Sequence, residues 1–206
     1  MPNDPMHVKS KSRPRTKPPE ERREELMNAA QVLFLKHGVR PVTIDQITSS
    51  AQVAKGTFYL YFSSKEDILA ALGDRFGRTL LSKIEAAIAT REQDDWKGKL
   101  AIWSATAVGV YLASIRLHDI LYGFRPATRE GLVDNVIIDH LDELLQTGLE
   151  AGAWWIDDSR FTAVFLFSGL HAVVDHAYVR EKPVNRRRLA DRLKRLCFRA
   201  VGLPYD

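Results

Sequence analysis

The sequence predicts an all-α protein: a three-helix N-terminal head, a long connector helix, and a C-terminal helical bundle of five further helices. Apolar residues recur at intervals of three and four along almost the whole chain, the period of a helix with one buried side. No segment alternates apolar and polar residues, no hairpin turn pair separates apolar runs, and there is no internal repeat. Capping residues before the apolar stripes, and glycine or proline after them, cut the chain into helix-length pieces. With 206 residues and 45% hydrophobic content the chain suits a small domain joined to a larger one.

Residues 1–17 hold Pro, Lys, Ser and Arg with few large apolar side chains, and are expected to form a disordered basic arm. Pro18 and Pro19 then punctuate, and Glu20 and Glu21 suit the first turn of a helix. Leu26, Ala30, Leu33 and Phe34 give that helix its stripe, His37 reads as a local cap, and Gly38 ends it. Thr43 caps a second helix, with Gln46 completing a capping box, and Ile44, Ile47 and Ala51 bury one face. Gln52-Val53-Ala54 is a tight turn. Lys55-Gly56-Thr57 opens a short third helix in which Phe58 and Phe62 form a buried i, i+4 pair. Either Ser63 or Ser64 could cap the connector, Ser63 making a capping box with Glu66, and its stripe runs Ile68, Leu69, Leu72, Phe76, Leu80, Ile84, Ile88.

The bundle follows. Asp94-Asp95 precede a helix with Trp96, Leu100, Trp103, Ala107, Val110 and Tyr111. A short segment spans Arg116 to Phe124, and Pro126 interrupts it. Thr128 to Ala151 reads as one long helix stopped by Gly152. Asp157-Asp158-Ser159 start a helix reaching about Arg180; Pro183 and Asn185 break and restart the chain for a last helix carrying Leu189, Leu193 and Leu196. The expected division is an arm at 1–17, a head at 18–65 and a bundle at 66–206.

The stretch Thr43–Phe62 carries the chemistry. Lys55, Thr57, Tyr59 and Tyr61 are left outward: one cation and three hydroxyls on a short helix, suited to a phosphate backbone and groove edges. Two helices, a tight turn and such a face describe a helix-turn-helix that binds double-stranded DNA. Charge qualifies this. The chain's net +4 resides in residues 1–19, where Lys9, Lys11, Arg13, Arg15 and Lys17 stand against Asp4, while residues 20–67 hold six basic and seven acidic side chains. Affinity is therefore expected to draw on the arm, which can follow phosphates; a solubilising tail is the alternative.

Other classes are disfavoured. No run of about 18 apolar residues suggests a membrane span, and the N-terminus lacks an apolar secretory region. A single cysteine, Cys197, favours a reducing compartment, hence the cytoplasm. No nucleophile motif, phosphate-cradling loop or strong metal spacing points to an enzyme or a cofactor, and the paired aspartates read as helix starts. His171, Asp175 and His176 lie on one helix; with His118 or His140 they fit either a polar network, which is the expectation, or a metal site.

On Thr43, Ile44, Ile47, Ala51, Val53, Lys55-Gly56-Thr57, Tyr59, Phe62 and Ser64-Lys65-Glu66, the sequence resembles the TetR family of bacterial transcriptional regulators. Detailed resemblance runs from about Glu24 to Leu72; beyond that only length, helix count and spacing fit. The resemblance implies a homodimer whose heads bind a palindromic operator and whose bundles dimerise and hold a small-molecule effector. Carried over by position, Thr43, Lys55, Gly56, Thr57, Tyr59, Tyr61 and Lys65 are the expected DNA contacts, with Lys65 meeting a phosphate at the start of the connector. Base choice would fall to Thr57 and Leu60, the latter against a thymine methyl. The dimer interface would use helices 159–180 and 185–200, through Phe161, Phe165, Gly169, Ala172, Leu189, Leu193 and Leu196. The arginine-rich face of the last helix reads as solvated, with a second DNA site as the alternative. For the effector, Trp103, Tyr111, Tyr122, Phe124 and His171 are the expected lining, favouring a hydrophobic or planar aromatic compound. The function expected is a ligand-responsive repressor without cofactor or membrane partner; the alternative is a dimeric site-specific DNA-binding protein without ligand gating.

Overall fold

The computed structural model describes residues 17–123, 135–181 and 183–204. Within them the chain is all-α, with nine helices and no strand. Helices α1 (Pro19–His37), α2 (Ile44–Ser50) and α3 (Lys55–Tyr59) form the head, and α4 (Lys65–Ile88) is the connector. The bundle consists of α5 (Trp96–Ala113), α6 (Ile115–Gly123), α7 (Val136–Glu150), α8 (Ser159–Arg180) and α9 (Arg186–Ala200).

Most boundaries have the local cause the sequence suggests. Helix α1 closes at Gly38, whose φ of 78° suits a residue without Cβ. Thr43 Oγ1 accepts from the Gln46 N–H at 3.2 Å, and Gln46 Oε1 accepts from the Thr43 N–H at 2.9 Å, completing the box that opens α2. Asp95, Asp158 and Asn185 cap α5, α8 and α9. Of the two candidate serines Ser64 is the N-cap of α4, accepting from the Asp67 N–H at 3.1 Å, while Ser63 pairs through its N–H and hydroxyl with the Asp67 carboxylate rather than with Glu66. One boundary differs. Helix α7 starts at Val136 rather than Thr128, because Asn135 Oδ1 receives the N–H groups of Ile137 and Ile138. Thr128 itself lies outside the described residues, as do residues 1–16 of the expected arm. Lys17 is described, and its ammonium pairs with Glu21 and Glu25 of α1.

Packing divides into two apolar clusters. The head cluster gathers Leu26, Met27, Ala30 and Phe34 from α1, Ile47 from α2, Phe58 and Phe62, and Ile68, Leu69 and Leu72 from α4. The bundle cluster takes Leu80 and Ile84 from α4 and the inward faces of α5, α7, α8 and α9. Each fully buried Leu, Ile or Phe contributes about 1.5–3 kcal/mol. Helix α4, about 36 Å long at 1.5 Å per residue, therefore belongs to both. Helix α6 is a second bridge: Ile115 lies in the bundle cluster, Leu121 is buried in the head cluster, and Arg116 Nη2 donates to the Leu35 carbonyl of α1 at 3.1 Å. Arg75 of α4 fastens the same α1 helix, meeting Glu24 at 2.6 Å and Asn28 and Gln31 at 2.8 Å.

Two further details concern the bundle. A Cβ at Gly148 would overlap the Trp154 ring, whose indole N–H donates to the Leu145 carbonyl at 2.8 Å. Helix α8 is long and apolar enough to cross a membrane by length and composition, contrary to the expectation. Ala163, Leu166, Leu170, Val174 and Ala177 account for one side of that apolarity, being buried in the bundle; Phe161, Phe165 and Val179 account for the other and are exposed.

Candidate functional site

The head presents one short outward face. Gln52, at φ 56°, turns the chain between α2 and α3, and the Val53 N–H returns to the Thr48 carbonyl at 2.9 Å. Phe58 is fully buried beneath α3. That anchoring leaves Lys55, Gly56, Tyr59 and Leu60 exposed, with Leu60 at 79% and Tyr59 at 53%, beside exposed Thr43 at the start of α2. Thr57 and Tyr61 are half-buried, and Tyr61 packs on the head cluster. Lys55 Nζ lies 2.9 Å from Asp45, an exposed pair that water and salt screen to little net strength. So weak a pair leaves the ammonium able to exchange its partner for a phosphate. A Cβ at Gly56 would meet no atom within 4 Å. The fold does not require glycine there, and the bare position lets another molecule approach the backbone closely.

Lys65 has partners inside the head. Its ammonium donates to three loop carbonyls between α1 and α2: Val39 at 2.8 Å, Arg40 at 3.1 Å and Val42 at 2.9 Å. An ammonium has three protons, so all are engaged. In this fold Lys65 is a strut for the α1–α2 loop.

In the bundle, a small apolar cavity of about 10 Å³ has Phe76, Trp103, Ala107, Tyr111, Phe167 and His171 in its wall, room for about one water. Trp103, Tyr111 and His171 of the expected lining thus converge. Tyr122 lies beside them, 44% exposed, its ring 4.6 Å from that of His118; Phe124 falls outside the described residues. The sequence reading passed over Phe76, visible in the α4 stripe, and considered His118 only as a ligand for metal. The His118 ring centre lies 4.1 Å from that of Tyr111 in an edge-on contact, 5.3 Å from that of His171 and 6.2 Å from that of Phe76. The Tyr111 hydroxyl donates to Asp175 at 2.5 Å, and His171 Nδ1 lies 3.0 Å from the Phe167 carbonyl. His176 is exposed, and no three potential metal ligands converge among the described residues. Asp175 and His171 thus each have a polar partner, the Tyr111 hydroxyl and the Phe167 carbonyl.

Burial and the neighbouring His171 push the His118 imidazole down to about 3, and burial lowers His171 as well, so both rings are neutral at neutral pH. Burial and Asp175 raise the Asp119 carboxyl. A wider cleft of about 450 Å³ lies between α1 and α4, but it is open and lined by Glu20, Arg23, Asp74, Arg78 and Lys83, a solvated groove rather than a ligand cavity. Cys197 is buried and its thiol is pushed up to about 12, which makes it unreactive.

The expected dimer face separates into two parts. On α8, Phe161 and Phe165 are 72% and 63% exposed, Ala172 is exposed and Gly169 half-buried; on α9, Leu196 is 50% exposed. Leu189 and Leu193, by contrast, are buried in the protomer's own bundle cluster, so they have no surface to offer a second copy. Arg186, Arg187, Arg188 and Arg192 are exposed to solvent.

Residues 26–72 match the family profile described as bacterial regulatory proteins, tetR family. The chain is 42% identical over 48 residues to the Tn10 TetC protein of Escherichia coli, covering 23% of this chain and 24% of that protein. It is 28% identical over 138 residues to the transcriptional regulator SrpR of Pseudomonas putida, covering 62% and 57%. The chain thus spans about a quarter of the first relative and little more than half of the second. Among solved structures, the fatty acid degradation regulator FadR from Bacillus halodurans superposes with a TM-score of 0.69 at 25% identity, covering 93% of this chain and all of that one.

Proposed function

We propose, from the fact that this chain belongs to the TetR family of bacterial transcriptional regulators, that it is a homodimeric cytoplasmic repressor which leaves its operator when a small hydrophobic or planar aromatic effector enters the cavity beside Phe76. In this reading residues 18–65 read the DNA, through Thr43, Lys55, Gly56, Thr57 and Tyr59 with Leu60 and Tyr61 at the edge. Residues 66–206 dimerise through Phe161, Phe165, Gly169, Ala172 and Leu196 and hold the effector. Two reading helices about 34 Å apart then meet successive major grooves.

One observation carries the gating. Phe76 packs on the head cluster and also forms part of the cavity wall, on the same continuous helix as Ile68, Leu69 and Leu72. A cavity of about 10 Å³ holds no effector as it stands, so an occupant must part its walls. Displacing Phe76 displaces the helix that fixes the head. Only the difference in affinity between the two geometries counts, and couplings of about 1–3 kcal/mol are typical.

Filling the cavity from within tests this. Ala107→Leu adds more volume than the cavity offers, an overpacking cost of about 1–3 kcal/mol. On a DNA site obtained by binding selection, the variant is expected to bind about 5–150-fold more weakly than the parent without any added compound. Circular dichroism and light scattering would show it folded and dimeric. A folded dimer with unchanged operator affinity would sink gating and favour site-specific binding without it.

A further inference from the structure

We infer that the cavity beside Phe76 takes an uncharged, planar aromatic molecule bearing one hydrogen-bond acceptor, and that the indole N–H of Trp103 is the group that receives it. The inference rests on reading this cavity as the effector site, and it specifies the chemistry of the occupant.

Trp103 is 1% exposed, lies in the cavity wall, and its Nε1 has no acceptor. An indole nitrogen only donates, so a buried one without a partner is destabilising, a cost that a wholly apolar side chain would not carry. Trp154 in the same bundle shows the usual solution, donating to the Leu145 carbonyl at 2.8 Å. An occupant presenting an acceptor would satisfy Trp103 only when bound.

The walls set the remaining features. The wall is largely aromatic, with Phe76, Trp103, Tyr111, Phe167 and His171 in it, which suits an aromatic occupant. No lysine or arginine lines the cavity, both nearby imidazoles are neutral, and the carboxylates of Asp119 and Asp175 stand close by. An anion would lose its hydration without a compensating cation. An organic cation would find carboxylates but would leave Trp103 unpaired.

Four probes of one scaffold separate these cases: methyl naphthyl ketone, ethylnaphthalene, naphthoate and naphthylmethylammonium. Calorimetry on the full-length dimer is expected to show the ketone binding about tenfold tighter than ethylnaphthalene, the effect of one hydrogen bond to a buried donor. Both ions are expected to bind more weakly than the ketone. In Trp103→Phe the ratio of ketone to hydrocarbon should fall to about one, whereas a purely structural role would change both affinities alike. Should that variant not fold, the wild-type indole signals decide: one of the four should move downfield with the ketone and not with ethylnaphthalene. A ratio unchanged in Trp103→Phe, an indole spectrum indifferent to the ketone, tightest binding by either ion, or no binding of the ketone overturns the inference. The same complexes added to operator DNA keep the two readings apart. Ketone bound without operator release defeats gating and leaves the ligand class standing; release by naphthoate does the reverse.

Discussion

Lys65 shows how one side chain changes meaning once its surroundings are known. In the sequence it is a cation at the start of the connector, near the expected phosphates; in the fold its three protons go to Val39, Arg40 and Val42. Lys65→Met keeps the apolar stem and removes the donors. It is expected to lower stability by about 2 kcal/mol in urea unfolding. The salt dependence of operator binding should keep its slope, because no phosphate contact is lost; a slope shallower by about one would restore Lys65 to the DNA face. Gly56 argues the other way. With open space around its missing Cβ, Gly56→Ala is expected to stabilise α3 by up to about 1 kcal/mol while weakening operator binding by about 1–3 kcal/mol in a gel shift. Equal affinity for both proteins would remove Gly56 from the interface.

At the level of elements, periodicity located the helices well and their outward faces less well. The stripe Leu189, Leu193, Leu196 on α9 reads as one apolar side, yet the first two leucines face the protomer's own core and the third faces solvent. A repeat of three and four residues says that a face is apolar; it does not say which body covers it. Capping was legible where both partners are local, as at Thr43 and Gln46, and ambiguous where two adjacent serines could each serve: Ser64 takes the Asp67 N–H while Ser63 donates to the Asp67 carboxylate. The exposed side of α8 remains the strongest candidate for contact between copies. Phe165→Asp is expected to leave each protomer folded, since that ring makes little use of the interior, and to weaken dimerisation at least about thirtyfold by sedimentation, the scale of an interface hot spot. A variant that remains dimeric at nanomolar concentration would place the interface elsewhere.

For the whole molecule, fold class and the order of helices were readable because they depend on period and caps, which are local. The cavity was half readable: Trp103, Tyr111 and His171 were found from their chemistry, whereas Phe76 and His118 come together with them through the crossing of α4 and α6. That crossing joins residues distant in sequence, and no local pattern encodes it. Nor does any local pattern encode the latch by which Arg75 holds Glu24, Asn28 and Gln31 of α1.

The division of α4 between two apolar clusters has a consequence for how such a protein can be inherited. The family profile ends at Leu72, the last α4 residue deeply buried in the head cluster, and the bundle cluster begins at Leu80. A chain recombined within that interval keeps the bundle core whole and the head core whole but for the Leu121 that α6 lends it. A reading head can therefore be passed on intact while the bundle beneath it diverges toward another compound. What a new pairing must match afresh is a narrow seam: Phe76 against His118, Leu121 against the head, and Arg116 on the end of α1.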